Sequence, residues 1–407
     1  MRYTMKYATK RIATLAGSTA LASAMLMAPA FADTSALDAR VSTQSAGTVN
    51  VPANTVLTFG GYVKADFIYD FDQTQGDTIF PPSLTIPDSA ANDGGFRFHV
   101  RQSRLNITST TQTGIGEVTA KIEWDLFGGQ GNQAVSNSEH FRLRHAFIQT
   151  NGWTIGQYWT LFMPLSSYPG TVDFQGPSGI LFVRQPQIRY THQVNDMFSV
   201  AFSVENPETI GDSGGSVNNN DQVPDFVAAV RAEGAWGSVD VAGIYRNIED
   251  PNLAPTIGGV PVTGSDSDDG FGIMFGGIFN AWQGGSINGN VAWGEGIGRY
   301  VVDGAPDARL DGGGSVDAVE VLMYNIGVTQ QLSPTLSAGL QWGVTEIDDT
   351  FAAATAPETQ QTIHASLFWS PTDRMTVGAE VSWNELELVN GASEEATRLQ
   401  TSVQFNF

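Results

Sequence analysis

Apolar and polar residues alternate along most of the chain with a period of two, the pattern of strands with one apolar and one wet face. Leu57, Phe59, Val63, Ala65, Phe67 and Tyr69 alternate with Thr58, Tyr62, Lys64, Asp66 and Asp70, which predicts a first strand with a charged wet face. A second, over 96–110, changes parity from Phe96, Phe98 and Val100 to Leu105 and Ile107, so a β-bulge is expected near Gln102-Ser103. The third sets Val118, Ala120, Ile122, Trp124 and Leu126 against Glu117, Thr119, Lys121, Glu123 and Asp125. In the fourth, Phe141, Leu143 and Phe147 are expected outward and Arg142 and Arg144 inward. The rhythm continues near 153–159, 184–192, 198–204, 226–233, 239–248, 271–282, 286–293, 316–331, 336–346, 362–369, 375–388 and 396–407. The last strand places Thr401, Val403, Phe405 and Phe407 on one face and Ser402, Gln404 and Asn406 on the other.

The connections add a second periodicity. Short ones carry turn residues, such as Thr113-Gly114, Asn151-Gly152, Asn195-Asp196 and Gly284-Gly285. They alternate with long ones near 71–95, 128–139, 160–183, 207–223, 249–268 and 296–315. Short turns at one rim and long loops at the other define an all-β fold, a transmembrane antiparallel β-barrel of about 16 strands with short periplasmic turns and long extracellular loops. The segment 160–183 is too long and too apolar for a free loop, with Phe162 and Phe174 between Tyr168-Pro169-Gly170 and Gly176-Pro177-Ser178-Gly179, and is expected to fold inward as the constriction. Trp153, Trp159, Trp236, Trp282, Trp293, Trp342, Trp369 and Trp383 fall mostly near strand ends, as interfacial girdles require.

Composition sharpens this picture. No stretch beyond residue 32 approaches the roughly 20 apolar residues of a spanning helix, which leaves the barrel open. Arg2, Lys6, Lys10 and Arg11 precede an apolar run and Ala30-Phe31-Ala32, so 1–32 reads as a cleaved signal peptide. Residues 33–56 read as a flexible periplasmic lead-in, and 57–407 as the barrel. The formal charge is -22, and the leader holds 4 of the 20 basic residues and none of the 42 acidic ones. So acidic a chain does not bind nucleic acid through a basic surface. It has no cysteine, hence neither disulfides nor thiolate metal sites.

Nine of the remaining basic residues lie between Lys64 and Arg189: Lys64, Arg97, Arg101, Arg104, Lys121, Arg142, Arg144, Arg184 and Arg189. A charge on the lipid face near mid-membrane costs about 2–4 kcal/mol, so most of these are expected in the lumen. There they form a ladder that concentrates anions. The competing reading is internal pairing with Asp66, Glu117, Glu123, Asp125 and Asp173. The pore-lining candidates are Lys64, Arg97, Arg101, Arg104, Lys121, Arg142, Arg144 and Arg189, with Asp173 on the constricting loop. Acidic residues such as Asp266, Asp268 and Asp269 read as a solvated rim, with a divalent-cation bridge to lipopolysaccharide as the sharper alternative.

Phe59-Gly60-Gly61-Tyr62-Val63-Lys64, Arg101-Gln102-Ser103-Arg104, Arg142-Leu143-Arg144-His145-Ala146, Thr171-Val172-Asp173-Phe174-Gln175-Gly176-Pro177 and Arg184-Gln185-Pro186-Gln187-Ile188-Arg189-Tyr190 resemble the DcaP-like outer-membrane porins. The resemblance is dense over 57–192 and diffuse beyond. It implies a trimeric porin of the Gram-negative outer membrane that passes small anionic solutes such as dicarboxylates, with no cofactor. The final Phe407 resembles the signal read by the barrel assembly machinery. Family members often carry an N-terminal coiled coil, for which 33–56 is too short and lacks heptads. His364 and Ser366 share a face, but no G-x-S-x-G or H-E-x-x-H motif occurs, so an enzyme is not expected. A non-transporting adhesin or structural barrel is the alternative.

Overall fold

The computed structural model describes residues 52, 54–87, 93–129, 131–210, 221–250, 256–257, 260–261, 266–310, 315–349 and 352–407. The leader at 1–32 and nearly all of the lead-in at 33–56 lie outside the described residues, and Thr55 and Val56 already belong to the first strand.

Sixteen antiparallel staves close into a barrel: β1 (Thr55–Gln73), β2 (Asp93–His99 and Arg104–Thr113), β3 (Gly116–Asp125), β4 (Arg142–Thr150), β5 (Trp153–Trp159), β6 (Arg184–Gln193), β7 (Phe198–Glu205), β8 (Asp225–Gly234), β9 (Gly237–Asp250), β10 (Asp266–Trp282), β11 (Gly285–Glu295), β12 (Glu320–Ser333), β13 (Leu336–Asp348), β14 (Pro357–Thr372), β15 (Met375–Leu388) and β16 (Ser393–Asn406). The seam joins β1 to β16 from Tyr62↔Asn406 to Asp70↔Arg398, so no sheet edge is left exposed to lipid. Asn151 (φ 48) and Gly152 (φ 83) form the two-residue β4–β5 turn, which needs positive φ at both positions.

The alternation does what the sequence requires. Val63 and Phe405 are exposed on the outer face, while Asp66, Arg398 and Gln400 are buried within. At the short-turn end, Trp153 packs on Tyr190 and Trp236 on Phe279; at the long-loop end, Phe271 packs on Trp293. These pairs form the aromatic girdles.

Two local departures redirect side chains. Stave β2 has a full break where the sequence suggested a simple bulge. Its halves pair with the upper and lower parts of β1, and Ser103 closes the gap by accepting the Lys64 N–H at 3.0 Å and donating to the Lys64 carbonyl at 3.2 Å. The Arg101 carbonyl accepts the Leu126 N–H instead of a β1 donor. In β4, the register shifts so that Glu123 faces His145 and Trp124 faces Leu143, making Arg144 the extra residue. Parity beyond it is inverted. Phe147, expected outward, points into the lumen and packs edge-on against Tyr158 at 4.8 Å. Trp159 also leaves the girdle: where β5 ends, its ring turns in to meet Phe182 at 5.0 Å.

Candidate functional site: an off-centre lumen faced by a basic wall

Residues 160–183, the third long loop (L3), run along the inside of the barrel. The loop neck is closed by Thr160 N–H donating to Val183 O at 3.0 Å. From there L3 follows the inner wall. Ser166 donates to Asp240 of β9, and Ser167 O accepts Asn288 of β11 at 3.1 Å. The Val172 and Asp173 amides donate to Glu380 of β15 at 2.7 and 3.2 Å, and Val172 O accepts Lys64 Nζ of β1 at 2.8 Å. Ser178 N–H meets Thr362 of β14 and Gly179 N–H meets Thr345 of β13, while Gly179 O accepts Asn290 and Asn325. Gly179 has φ +74, and a Cβ there would lie 2.2 Å from Tyr324 O, so only glycine seats the loop this close to the wall.

The described part of a second loop (L6), 296–310 and 315–319, also folds inward, which the sequence reading did not anticipate. Leu181 of L3 and Val301 of L6 form an antiparallel bridge, flanked by Phe182 N–H to Tyr300 O at 2.9 Å and Val302 N–H to Ile180 O at 3.0 Å. Phe162, Met163, Leu181, Ile297, Tyr300 and Val301 pack against Val227, Ile244, Met274, Val321, Met323 and Ile347. This half of the lumen is therefore a solid apolar core. L6 is locked by Arg246 of β9, which is fully buried and reaches Asp307 at 2.5 Å and Asp225 at 3.2 Å, while Tyr300 donates to Asp225 at 2.6 Å. Arg246 and Arg398 carry no local motif, and their partners are remote in sequence.

The loops leave the inner face of β2–β6 opposite them, and most candidate residues stand there. Glu123 collects three cations: Arg144 at 2.8 Å, Lys121 at 3.2 Å and Arg104 at 3.5 Å. Asp125 takes a two-pronged contact from Arg142 (2.9 and 2.6 Å) and a bond from Arg144 at 3.0 Å. Towards the long-loop end, Asp77 takes Arg97 at 2.8 Å and also Arg101, and Arg101 lies 3.2 Å from Glu139. Burial pushes the Asp77 carboxyl up, but the bonds from Arg101 and Arg97 outweigh it and hold the group below its usual range. Arg189 donates to Gln187 at 2.8 Å and to the Trp159 carbonyl. Aromatic rings fill the gaps: Phe174 of L3 stacks on Phe127 at 4.7 Å and lies under Arg142 and Arg144.

Two candidates stand elsewhere. Lys64 is 4% exposed, pairs with Asp66 at 2.9 Å and straps the L3 backbone. Asp173 is likewise buried behind the loop. It accepts the Ile79 and Gln175 amides and faces Arg398 at 3.6 Å, so it anchors L3 and does not present itself to the lumen. Burial raises its carboxyl to about 6, with Arg398 opposing and Glu380 adding to the shift. Pairing is thus more extensive than a free ladder, yet the wall stays basic. Eight cations, counting Arg184, stand with five carboxylates: Asp77, Glu117, Glu123, Asp125 and Glu139.

His364 and Ser366 both bond Glu380, at 3.0 and 2.5 Å, and not each other, so the Ser/His pair is part of the L3 anchor. Among the described residues no cluster of three or more His, Asp or Glu is placed to hold a metal.

A closed 16-stave barrel narrowed by an inward third loop defines an outer-membrane diffusion channel. The sequence matches the family described as "Porin subfamily" over residues 43–405, and the chain belongs to it, as a porin of the Gram-negative outer membrane. Among solved structures it is similar to the outer-membrane channel DcaP of Acinetobacter baumannii, with a TM-score of 0.77 at 22% identity, covering 88% of this chain and 99% of that one. It is also similar to an anion-selective porin from Comamonas acidovorans (TM-score 0.56, 15% identity, 87% and 100% covered). OmpT of Vibrio cholerae gives 0.57 at 10% identity, with 88% and 100% covered. At these identities the likeness is one of fold. A search of curated proteins returns no match.

Proposed function

We propose that the chain is an anion-preferring porin for small solutes such as dicarboxylates. The observation that carries this reading is the excess of cations on one wall of the remaining lumen. Arg104, Lys121 and Arg142 keep part of their side chains exposed (22%, 17% and 32%), while the facing L3 surface offers aromatic rings rather than carboxylates. Fixed cations in a narrow aqueous path raise the local anion concentration and exclude cations. Arg97 and Arg101 extend the field into the vestibule, and Arg189 extends it towards the short turns. Arg144 is buried, so it acts through its charge and not by contact.

The same reading puts the short turns in the periplasm and the long loops outside. It makes the chain a homotrimer exported by its leader, assembled through Phe407 and seated among lipid and lipopolysaccharide. Reversal potentials across a planar bilayer in a KCl gradient test the central claim. Anion preference supports it, and cation preference rejects it. A folded barrel without measurable conductance would instead favour a structural or adhesive role.

A further inference from the structure

Most cations of the basic wall are already engaged. Arg104, Lys121 and Arg144 share Glu123, Arg142 and Arg144 share Asp125, and Arg97 and Arg101 share Asp77. Such pairs contribute a net field, and in Arg142, Arg144, Arg97 and Arg101 they also fill hydrogen-bonding edges, while Arg104 stands 3.5 Å from Glu123 with its Nε not hydrogen-bonded. Arg189 has its edge filled by Gln187 and a carbonyl.

Arg184 differs. It is the first residue of β6, at the point where L3 returns to the wall. By parity it falls with the outward Ile188 and Tyr190, yet its guanidinium lies against inward-turned rings, 4.8 Å from Trp159 and 5.2 Å from Phe182. Among the described residues its guanidinium makes no hydrogen bond and no ion pair; Nη1 is buried without a partner, which leaves the Nε and Nη2 edge for a solute. Its electrostatic neighbours are Arg144, Arg142 and Arg104, with Asp125 the carboxylate in reach. Asp125 is already filled by Arg142 and Arg144. A desolvated guanidinium among like charges with an empty edge has one chemical complement, an oxyanion from outside the chain.

We infer that Arg184 is the docking residue for the carboxylate of a passing solute, held by Trp159 and Phe182 so that its free edge can take a two-pronged bond. This rests on the anion-porin reading and deepens it. The wall concentrates anions, and Arg184 binds them.

The test uses the full-length barrel in planar bilayers, with folding checked by the heat-dependent shift on gels. Removing one charge about 7 Å from the path changes the anion-to-cation ratio by about sevenfold at low salt. Arg184→Gln is expected to lower the ratio by that factor and to abolish the saturation of conductance with potassium succinate. Arg184→Lys keeps the charge without the fork; its ion ratio should stay near wild type while half-saturation rises about tenfold. Arg374→Gln, in the short turn between β14 and β15, should leave saturation unchanged. If folded Arg184→Gln keeps both ratio and saturation, or if Arg184→Lys saturates like wild type, the inference is wrong. A cation-preferring wild type would end the anion-porin reading itself. An anion-preferring one that ignores Arg184→Gln would end only this assignment.

Discussion

Glu123 is the most informative single position on the basic wall, because three cations converge on it. Glu123→Gln removes one negative charge and almost no volume. For a solute passing about 7 Å away in a watery path, one charge is worth roughly 0.6 kcal/mol, close to RT. Anions would be enriched about 2.7-fold and cations depleted by the same factor, so the permeability ratio rises about sevenfold. The structural cost is bounded. Arg144 keeps its 3.0 Å bond to Asp125, while Arg104 and Lys121 lose their carboxylate but stay partly exposed, so the cost lies between one charged hydrogen bond and a broken buried pair, about 1.5–5 kcal/mol. The assay is the reversal potential at low and high salt, with the heat-shifted gel as folding control. The gain in anion preference should shrink at high salt as screening grows. A folded Glu123→Gln channel with unchanged or weaker anion preference would show that these side chains do not face the conducting path.

Other expectations follow from the loops. Arg142→Ala with Arg144→Ala should weaken anion preference while the barrel still forms, read by reversal potential and heat-shifted gel. Gly179→Ala places a methyl 2.2 Å from the Tyr324 carbonyl, so L3 should unseat and single-channel conductance should rise. Arg246→Met takes away the cation that Asp225 and Asp307 share, leaving Arg299 at 4.0 Å from Asp225, at a cost of about 3–5 kcal/mol. It should therefore lower the melting temperature and loosen L6; an unchanged melting curve would contradict the lock. Asp173 carries a carboxyl raised to about 6 from 3.8, so its contribution is full below about pH 4 and is lost as pH rises through 6. Current flicker should grow between pH 5 and 7.5, and Asp173→Asn should flatten that dependence; flicker that keeps its slope in the variant would refute the assignment.

The staves were legible because each is a local pattern. A period of two in Val118–Asp125 or Thr401–Phe407 needs no partner to be recognised, and the lipid solvent enforces it strictly. Phe147 and Trp159 were misplaced for a physical reason. One extra residue at Arg144, or the inward turn at the end of β5, reverses a face without changing the local composition. The break in β2 was visible only as a parity slip, since the side chain that repairs it, Ser103, bonds a backbone 39 positions away. L3 was readable from its apolar content. L6 was not, because its glycines and aspartates resemble a solvated loop and its few apolar residues become a core only beside L3. The basic residues were found, but which of them are neutralised depends on Glu123, Asp125 and Asp77 across strands. Asp77 stands in the connection between β1 and β2, where the sequence carries no alternation to follow.

The attachment of L3 also dictates an order of construction. Its tip is held by Lys64 near the start of the chain and by Glu380 and Arg398 near the end, positions that become neighbours only when the first and last staves are zipped together. The moorings at Val172 and Asp173 that use both sides of the seam therefore need the wall closed, whereas those to β9, β11, β13 and β14 do not. Seam and constriction thus share side chains, and loosening the β1–β16 pairing would also free the tip of the loop.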